Sequence, residues 1–211
     1  MDCFSGLCLF LPLLPAIILF IKKGYQKEAT NFLMILCLIS FIKGILLVIP
    51  GITNNIAVTI KNIFMFLELI VILFIFKTFF SQKLNYVLTI FSVIFFSSII
   101  TYYLLNGLNH KRILFNQMQN GIIIFLSVFA LIQILKTENL FVLQNPLFWA
   151  GAGTVFYFSI SLLIGSLNES SNNTDSAVIL NIADIARYFL YSVGAVFYRH
   201  KRSNQNENYI D

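Results

Sequence analysis

Seven apolar runs follow one another along this chain, joined by short connectors, and each is near the ~20 residues that cross a bilayer. That succession limits the possible folds more than any other feature. In hydrocarbon the backbone must satisfy its own N–H and C=O groups, so spanning segments are helices or closed barrels. Barrel strands alternate polar and apolar residues, and these runs do not. The expected fold class is all-α: a polytopic transmembrane helix bundle of seven helices. The runs are Phe4–Ile21, Thr30–Val48, Ile56–Phe76 with a possible extension to Phe80, Tyr86–Leu105, Ile113–Leu135, Pro146–Leu167 and Val178–Phe197. Pro50 and Gly51 end the second, and Pro146 suits the first turn of the sixth. Pro12 and Pro15 are placed to bend the first.

Composition excludes a soluble globule. Charged residues make up 11% of the chain and hydrophobic ones 58%, against roughly 25% charged in soluble domains. So little polar surface cannot cover a folded chain, and membrane lipids are its expected solvent. The net charge of +5 sits mainly at helix ends, where it reads as a topology signal rather than a nucleic-acid patch. Cys3, Cys8 and Cys37 lie in or beside apolar runs and form no disulfide or metal pattern. The first run lacks a basic segment ahead of it and is followed by Lys22 and Lys23, so it reads as a retained helix rather than a cleaved signal.

With the N-terminus outside, the inner segments hold Lys22, Lys23, Lys27, Lys77, Lys83, Lys136, Arg199, Lys201 and Arg202. The outer loops then hold only Lys111 and Arg112. This asymmetry predicts an outer N-terminus and a cytoplasmic C-terminus. Residues 1–198 are expected to form one seven-helix domain, with 199–211 a short cytoplasmic tail. The loop after the sixth run is acidic and carries Asn-x-Ser/Thr triplets at Asn168 and Asn172. The expected location is a cell membrane, the inner membrane if the source is bacterial.

Charges inside the runs carry the functional inference, because each is costly in hydrocarbon and needs a partner. At about 1.5 Å per residue, Lys61 lies about 7 Å below the outer end of its helix, Asp184 about 9 Å, Lys43 about 10 Å, Arg187 about 13 Å and Glu68 about 18 Å. Asn116, Gln117, Gln119 and Asn120 occupy the first turns of the fifth run, and Tyr102 and Tyr103 the outer end of the fourth. These groups predict a polar, outward-opening pocket among the second, third, fifth and seventh helices, floored by Glu68. Glu68 is expected to pair across helices, with Lys43 or with Arg187. Each group also has a packing reading. Lys61 is shallow enough to snorkel. Asp184 and Arg187 stand three apart and can pair locally. The amides can bond between helices.

On the sixth run Gly153, Tyr157, Ser161 and Gly165 recur every four residues, beside Ala150 and Thr154, as small residues do where helices approach closely. Asn181, Asp184, Tyr188 and Tyr191 form a stripe on the seventh, and the two helices are expected to pack together near the third. The expected site residues are therefore Glu68, Lys43, Asp184, Arg187, Lys61, Asn116, Asn120 and Tyr157. No catalytic residues, metal ligands or cofactor are expected. The two histidines, His110 and His200, are far apart at membrane edges, and no HExxH, GxSxG or Gly-rich phosphate loop is present.

The segments NIFMFLELIVILFIF, NPLFWAGAGTVFYFSISLLIGSL and LNIADIARYFLYSVGAVFY, in this order, resemble a group of small seven-helix bacterial membrane proteins. The resemblance rests on Glu68 and on Asn145, Pro146, Phe148, Trp149 and Tyr157. Its layout is similar to the membrane input regions of some sensor kinases, which implies a sensing or signalling role with a cytoplasmic or membrane signalling partner. The alternatives are a small-solute or ion transporter or channel subunit, and an accessory membrane effector.

Overall fold

A computed structural model describes residues 9–77, 79–80, 82–106, 113–137, 142–167 and 174–198. Among these residues the chain is all-helical, with seven helices and no strand. We number them α1 (Leu13–Ile21), α2 (Glu28–Val48), α3 (Asn54–Lys77), α4 (Gln82–Asn106), α5 (Ile113–Thr137), α6 (Pro146–Leu167) and α7 (Thr174–Phe197). Five of them are long and apolar enough to cross a membrane: α2, α3, α5, α6 and α7. The strongly apolar part of α4 is shorter, Ser92–Tyr102. Ahead of α1, Leu9 and Phe10 are helical and residues 11–12 form a turn, so the helical run is interrupted at Pro12.

Most helices are longer than their apolar runs because their polar first turns are helical too. Local chemistry sets the boundaries. At the start of α6, the Leu147 N–H donates to Asn145 Oδ1 at 2.9 Å, a side-chain cap, and Pro146 takes the first helical position. Trp149 Nε1 donates to the Leu143 carbonyl at 2.8 Å, tying α6 to the 3-10 turn before it. At the other end of α2, Pro50 cannot continue the helix and Gly51 turns the chain at φ 90°, a conformation that suits glycine. α3 runs to Lys77, and Phe79 and Phe80 lie in a turn after it rather than in the helix.

The packing forms a closed ring. α1 lies against α2 and α7, α2 against α3, α3 against α5, α5 against α6, and α6 against α7. The α6–α7 pair is the most extensive. It is close because Gly194 faces the Pro146 carbonyl and the Trp149 side chain, while Gly153 faces the Arg187 carbonyl and the Tyr191 ring. α4 meets α5 through Tyr102 and Phe115, whose rings are 5.4 Å apart and edge-on. Leu33, Leu36, Leu69, Ile72, Ile75, Phe76, Ile123, Leu126, Ala130 and Tyr191 fill the interior of the ring.

The small-residue stripe on α6 does not face one neighbour. Four residues advance about 400° on a helix, so a four-residue repeat drifts by about 40° each time. Gly153 therefore faces α7, whereas Gly165, three repeats on, faces Gln117 of α5. Ser161, just before it, already bonds to α5. The sequons at Asn168 and Asn172, both histidines, and the tail from Arg199 lie outside the described residues.

Candidate functional site

Arg187 holds the centre of the bundle. It is 1% exposed. Its Nη1 lies 2.5 Å from Glu68 Oε1 on α3, and its Nη2 donates to the Tyr188 hydroxyl at 2.6 Å. The same Nη2 is 2.7 Å from Asp184 Oδ1, one turn back on α7. That last contact is an ion pair without hydrogen-bond alignment, since Asp184 Oδ1 has no hydrogen-bond partner. The Tyr157 ring of α6 covers the guanidinium, with Cζ 4.1 Å from its centroid, and the Tyr188 ring is 4.6 Å away. A planar, weakly hydrated guanidinium suits such a setting better than an ammonium would. One buried cation is thus shared by two carboxylates and links three helices.

Above this cluster opens a cavity of about 460 Å³. It lies toward the end of the bundle where α2 passes into α3. Its polar lining includes Lys43, Lys61, Glu68, Asn116, Asn120 and Asp184. Tyr157 and Ser161 of α6, Asn181 of α7 and Leu9 and Pro12 ahead of α1 also line it. The pocket therefore draws on the chain at α1 and on α6, as well as on the four helices expected from residue depth. Neighbouring amides brace its wall: Asn120 Nδ2 donates to Ser161 Oγ at 3.0 Å, and Gln119 Nε2 to the Met65 carbonyl at 2.9 Å.

Seven of the eight expected site residues face this one cavity, and the eighth, Arg187, sits directly behind it, gripping Glu68. Of the two partners considered for Glu68, Arg187 makes the ion pair. Lys43 shares the cavity with Glu68 without forming an ion pair with it. Asp184 and Arg187 do pair locally, but the same guanidinium also reaches across the bundle. Tyr102 contacts α5 rather than the cavity. Tyr188 and Ser161 belong to the site although the depth argument did not select them. The signal was present in the α6 and α7 stripes, which carry both residues.

Beyond the cluster, on the side away from the cavity, the buried polar residues are few and uncharged among the described residues. Ser127, Thr154 and Ser192 donate to carbonyls four residues back in their own helices, at 2.7, 2.7 and 2.8 Å. Thr154 also meets the Tyr191 hydroxyl at 2.7 Å. At that end Lys22 Nζ bonds to the Val196 carbonyl near the end of α7. Lys27 Nζ stands 5.6 Å over the Tyr198 ring. No group of three His, Cys, Asp or Glu side chains among the described residues is placed to hold a metal ion.

No protein-family model, curated protein or solved structure matches this chain. The site's chemistry therefore rests on its geometry: a polar vestibule on one side, an ion-paired floor, and an apolar half beneath.

Proposed function

We propose that this chain is a membrane-embedded, receptor-like binding module whose cavity takes a ligand from the outer face. The carrying observation is the one-ended cavity. It is lined by charged and amide side chains and closed underneath by the Arg187–Glu68–Asp184–Tyr157 cluster. A transport path would need polar groups continuing toward Lys136. The buried residues in that direction are mostly apolar, such as Ile123, Leu126, Ala130 and Ile134, and the hydroxyls of Ser127 and Thr154 are bonded to carbonyls of their own helices. The outer placement follows the lysine and arginine asymmetry.

In this reading the cluster is also the responsive element. Arg187 is shared between Glu68 on α3 and Asp184 on α7, and the α6 and α7 backbones meet at Gly153. A ligand that draws on either carboxylate changes how α3 and α7 are held together, and a differential affinity for the two arrangements shifts their populations. A partner at the basic inner rim would read that shift, as the resemblance to sensor-kinase input regions implies.

Cysteine accessibility tests the reading. In a Cys-free background, reconstituted in sealed vesicles, Ser161→Cys should react with a membrane-impermeant thiol reagent from one face only. Ser127→Cys should react from neither face. Labelling of Ser127→Cys, or of Ser161→Cys from both faces, would replace the binding module with a conduction path.

A further inference from the structure

The charges around the cavity do not cancel. Glu68 and Asp184 both lie against the Arg187 guanidinium, which leaves that buried trio with one negative charge. Lys43 and Lys61 line the same cavity, and neither has an ion-pair partner among the described residues. With both counted, the empty site carries one formal positive charge more than it balances. Such an excess favours a ligand of opposite sign, more strongly at the half-buried Lys43 than at the exposed Lys61. A second observation is independent of charge. Asn116 Oδ1 is buried and has no hydrogen-bond partner, and Asn116 lines the cavity. A buried amide oxygen left unpaired is costly, so it calls for a donor from outside the chain. The opposite amide orientation would instead aim its two N–H donors there. The lining also has apolar side chains, among them Leu47, Val48, Met65 and Leu180.

We infer that the cavity is an oxyanion site. It holds the phosphate or carboxylate head of a small amphiphile between Lys43 and Lys61, its apolar body against Met65 and Leu180 and a ligand hydroxyl or N–H on Asn116. This deepens the binding-module reading and rests on it. A monoanion brings the site to neutrality. The one negative charge left on the Glu68–Arg187–Asp184 trio is outweighed by Lys43 and Lys61, which line the same cavity. The sign of the site excludes a purely cationic ligand. The same head chemistry is available from a lipid within the bilayer or from a soluble organic phosphate.

The probes are decyl phosphate, phenyl phosphate, decyl maltoside and decyltrimethylammonium. Each is added to the full chain in phosphatidylcholine nanodiscs, and thermal midpoint and protection of Ser161→Cys are read. The expected result is a raised midpoint and protection with decyl phosphate, and neither effect with the uncharged or cationic probe. Lys61→Gln, at an exposed position, should weaken decyl phosphate about tenfold, the size of one charge-assisted hydrogen bond. Lys43→Gln should do the same, and Lys43→Arg should restore binding. Protection by phenyl phosphate as well identifies a water-borne ligand; protection by decyl phosphate alone identifies a lipid. Binding of decyltrimethylammonium in place of decyl phosphate overturns the oxyanion site, as does decyl phosphate binding indifferent to both lysine substitutions. If Ser161→Cys still labels from one face in those cases, the cavity reading survives without the anion. If Ser161→Cys does not label at all and no probe binds, both fail.

Discussion

The two ends of this bundle differ in how they satisfy most of their buried polar groups. Toward the cavity the bonds run between helices: Arg187 to Glu68, Asn120 to Ser161, and Gln119 to the Met65 carbonyl. Away from it, Ser127 and Ser192 return their hydroxyls to their own helices, and Thr154 does the same while also meeting the Tyr191 hydroxyl of α7. Apolar side chains and close backbone contacts then hold the helices together. Interhelical bonds fix which helix faces which and at what rotation. Intrahelical ones only make a polar residue tolerable in an apolar setting. The cavity end is thus specified by chemistry and the other end by shape. A difference of this kind suits a site that must answer to a ligand above a frame that must not move.

The sharpest way to break the comparison is Arg187→Met. It strands two carboxylates in the bundle, and removing one partner of a buried charge set costs about 3–5 kcal/mol. Glu68→Gln should cost less, about 2 kcal/mol, because Arg187 keeps Asp184 and Tyr188. The Glu68→Gln, Arg187→Met double variant should be destabilised by less than the sum of the two singles, since both members of the pair leave together. Thermal unfolding in mild detergent measures all of these. If Arg187→Met unfolds no earlier than Glu68→Gln, Arg187 is not the shared counter-ion. Under the receptor-like reading, Glu68→Gln also abolishes the ligand response while the protein stays folded.

The apolar end answers to shape instead. A Cβ on Gly194 would meet the Pro146 carbonyl at 2.8 Å and Trp149 Cβ at 2.9 Å. Gly194→Val should therefore cost about 1–3 kcal/mol through overpacking. Gly121 of α5 has nothing within 4 Å of its would-be Cβ. Gly121→Ala should gain up to about 1 kcal/mol in helix propensity. Equal effects at the two glycines would mean that the α6–α7 approach is not set by close packing.

Much of this arrangement was legible in the sequence because lipid imposes few solutions. Run length and Pro146 placed α6 at Pro146–Leu167, and the apolar runs located α2, α3, α4, α5 and α7 to within a few residues, whereas α1 begins at Leu13 and the expected start of its run at Phe4 lies outside the described residues. The runs missed polar first turns such as that of α7, which begins at Thr174, because hydropathy does not register a helix that continues into polar residues. Depth along each helix gathered Lys43, Lys61, Glu68, Asn116, Asn120 and Asp184 into the outer half, the stripe on the sixth run added Tyr157, and one cavity collects them. Depth left open which cation takes Glu68, since that depends on helix order around the ring and on rotation about each axis. α7 packs against both α1 and α6, and its Arg187 projects across the interior to α3. Helix order also brought Ser161 into the pocket, a contribution that depth alone could not assign.

The smallest effects discriminate most finely between the two ends. Asn120→Leu removes a bond between α5 and α6, and such bonds are worth about 0.6 kcal/mol in membrane bundles. Ser127→Ala removes a hydroxyl that bonds only to its own helix at Ile123, so its cost should be near zero although Ser127 is fully buried. Burial alone would rank the two the other way, because Ser127 is the less exposed residue. Unfolding midpoints that follow burial rather than bond direction would remove the distinction between a chemically specified end and a shape-specified one. Midpoints that follow bond direction should be accompanied by a second difference. Asn120→Leu should also weaken decyl phosphate binding, because the Asn120–Ser161 bond braces the cavity wall, whereas Ser127→Ala should leave that binding unchanged.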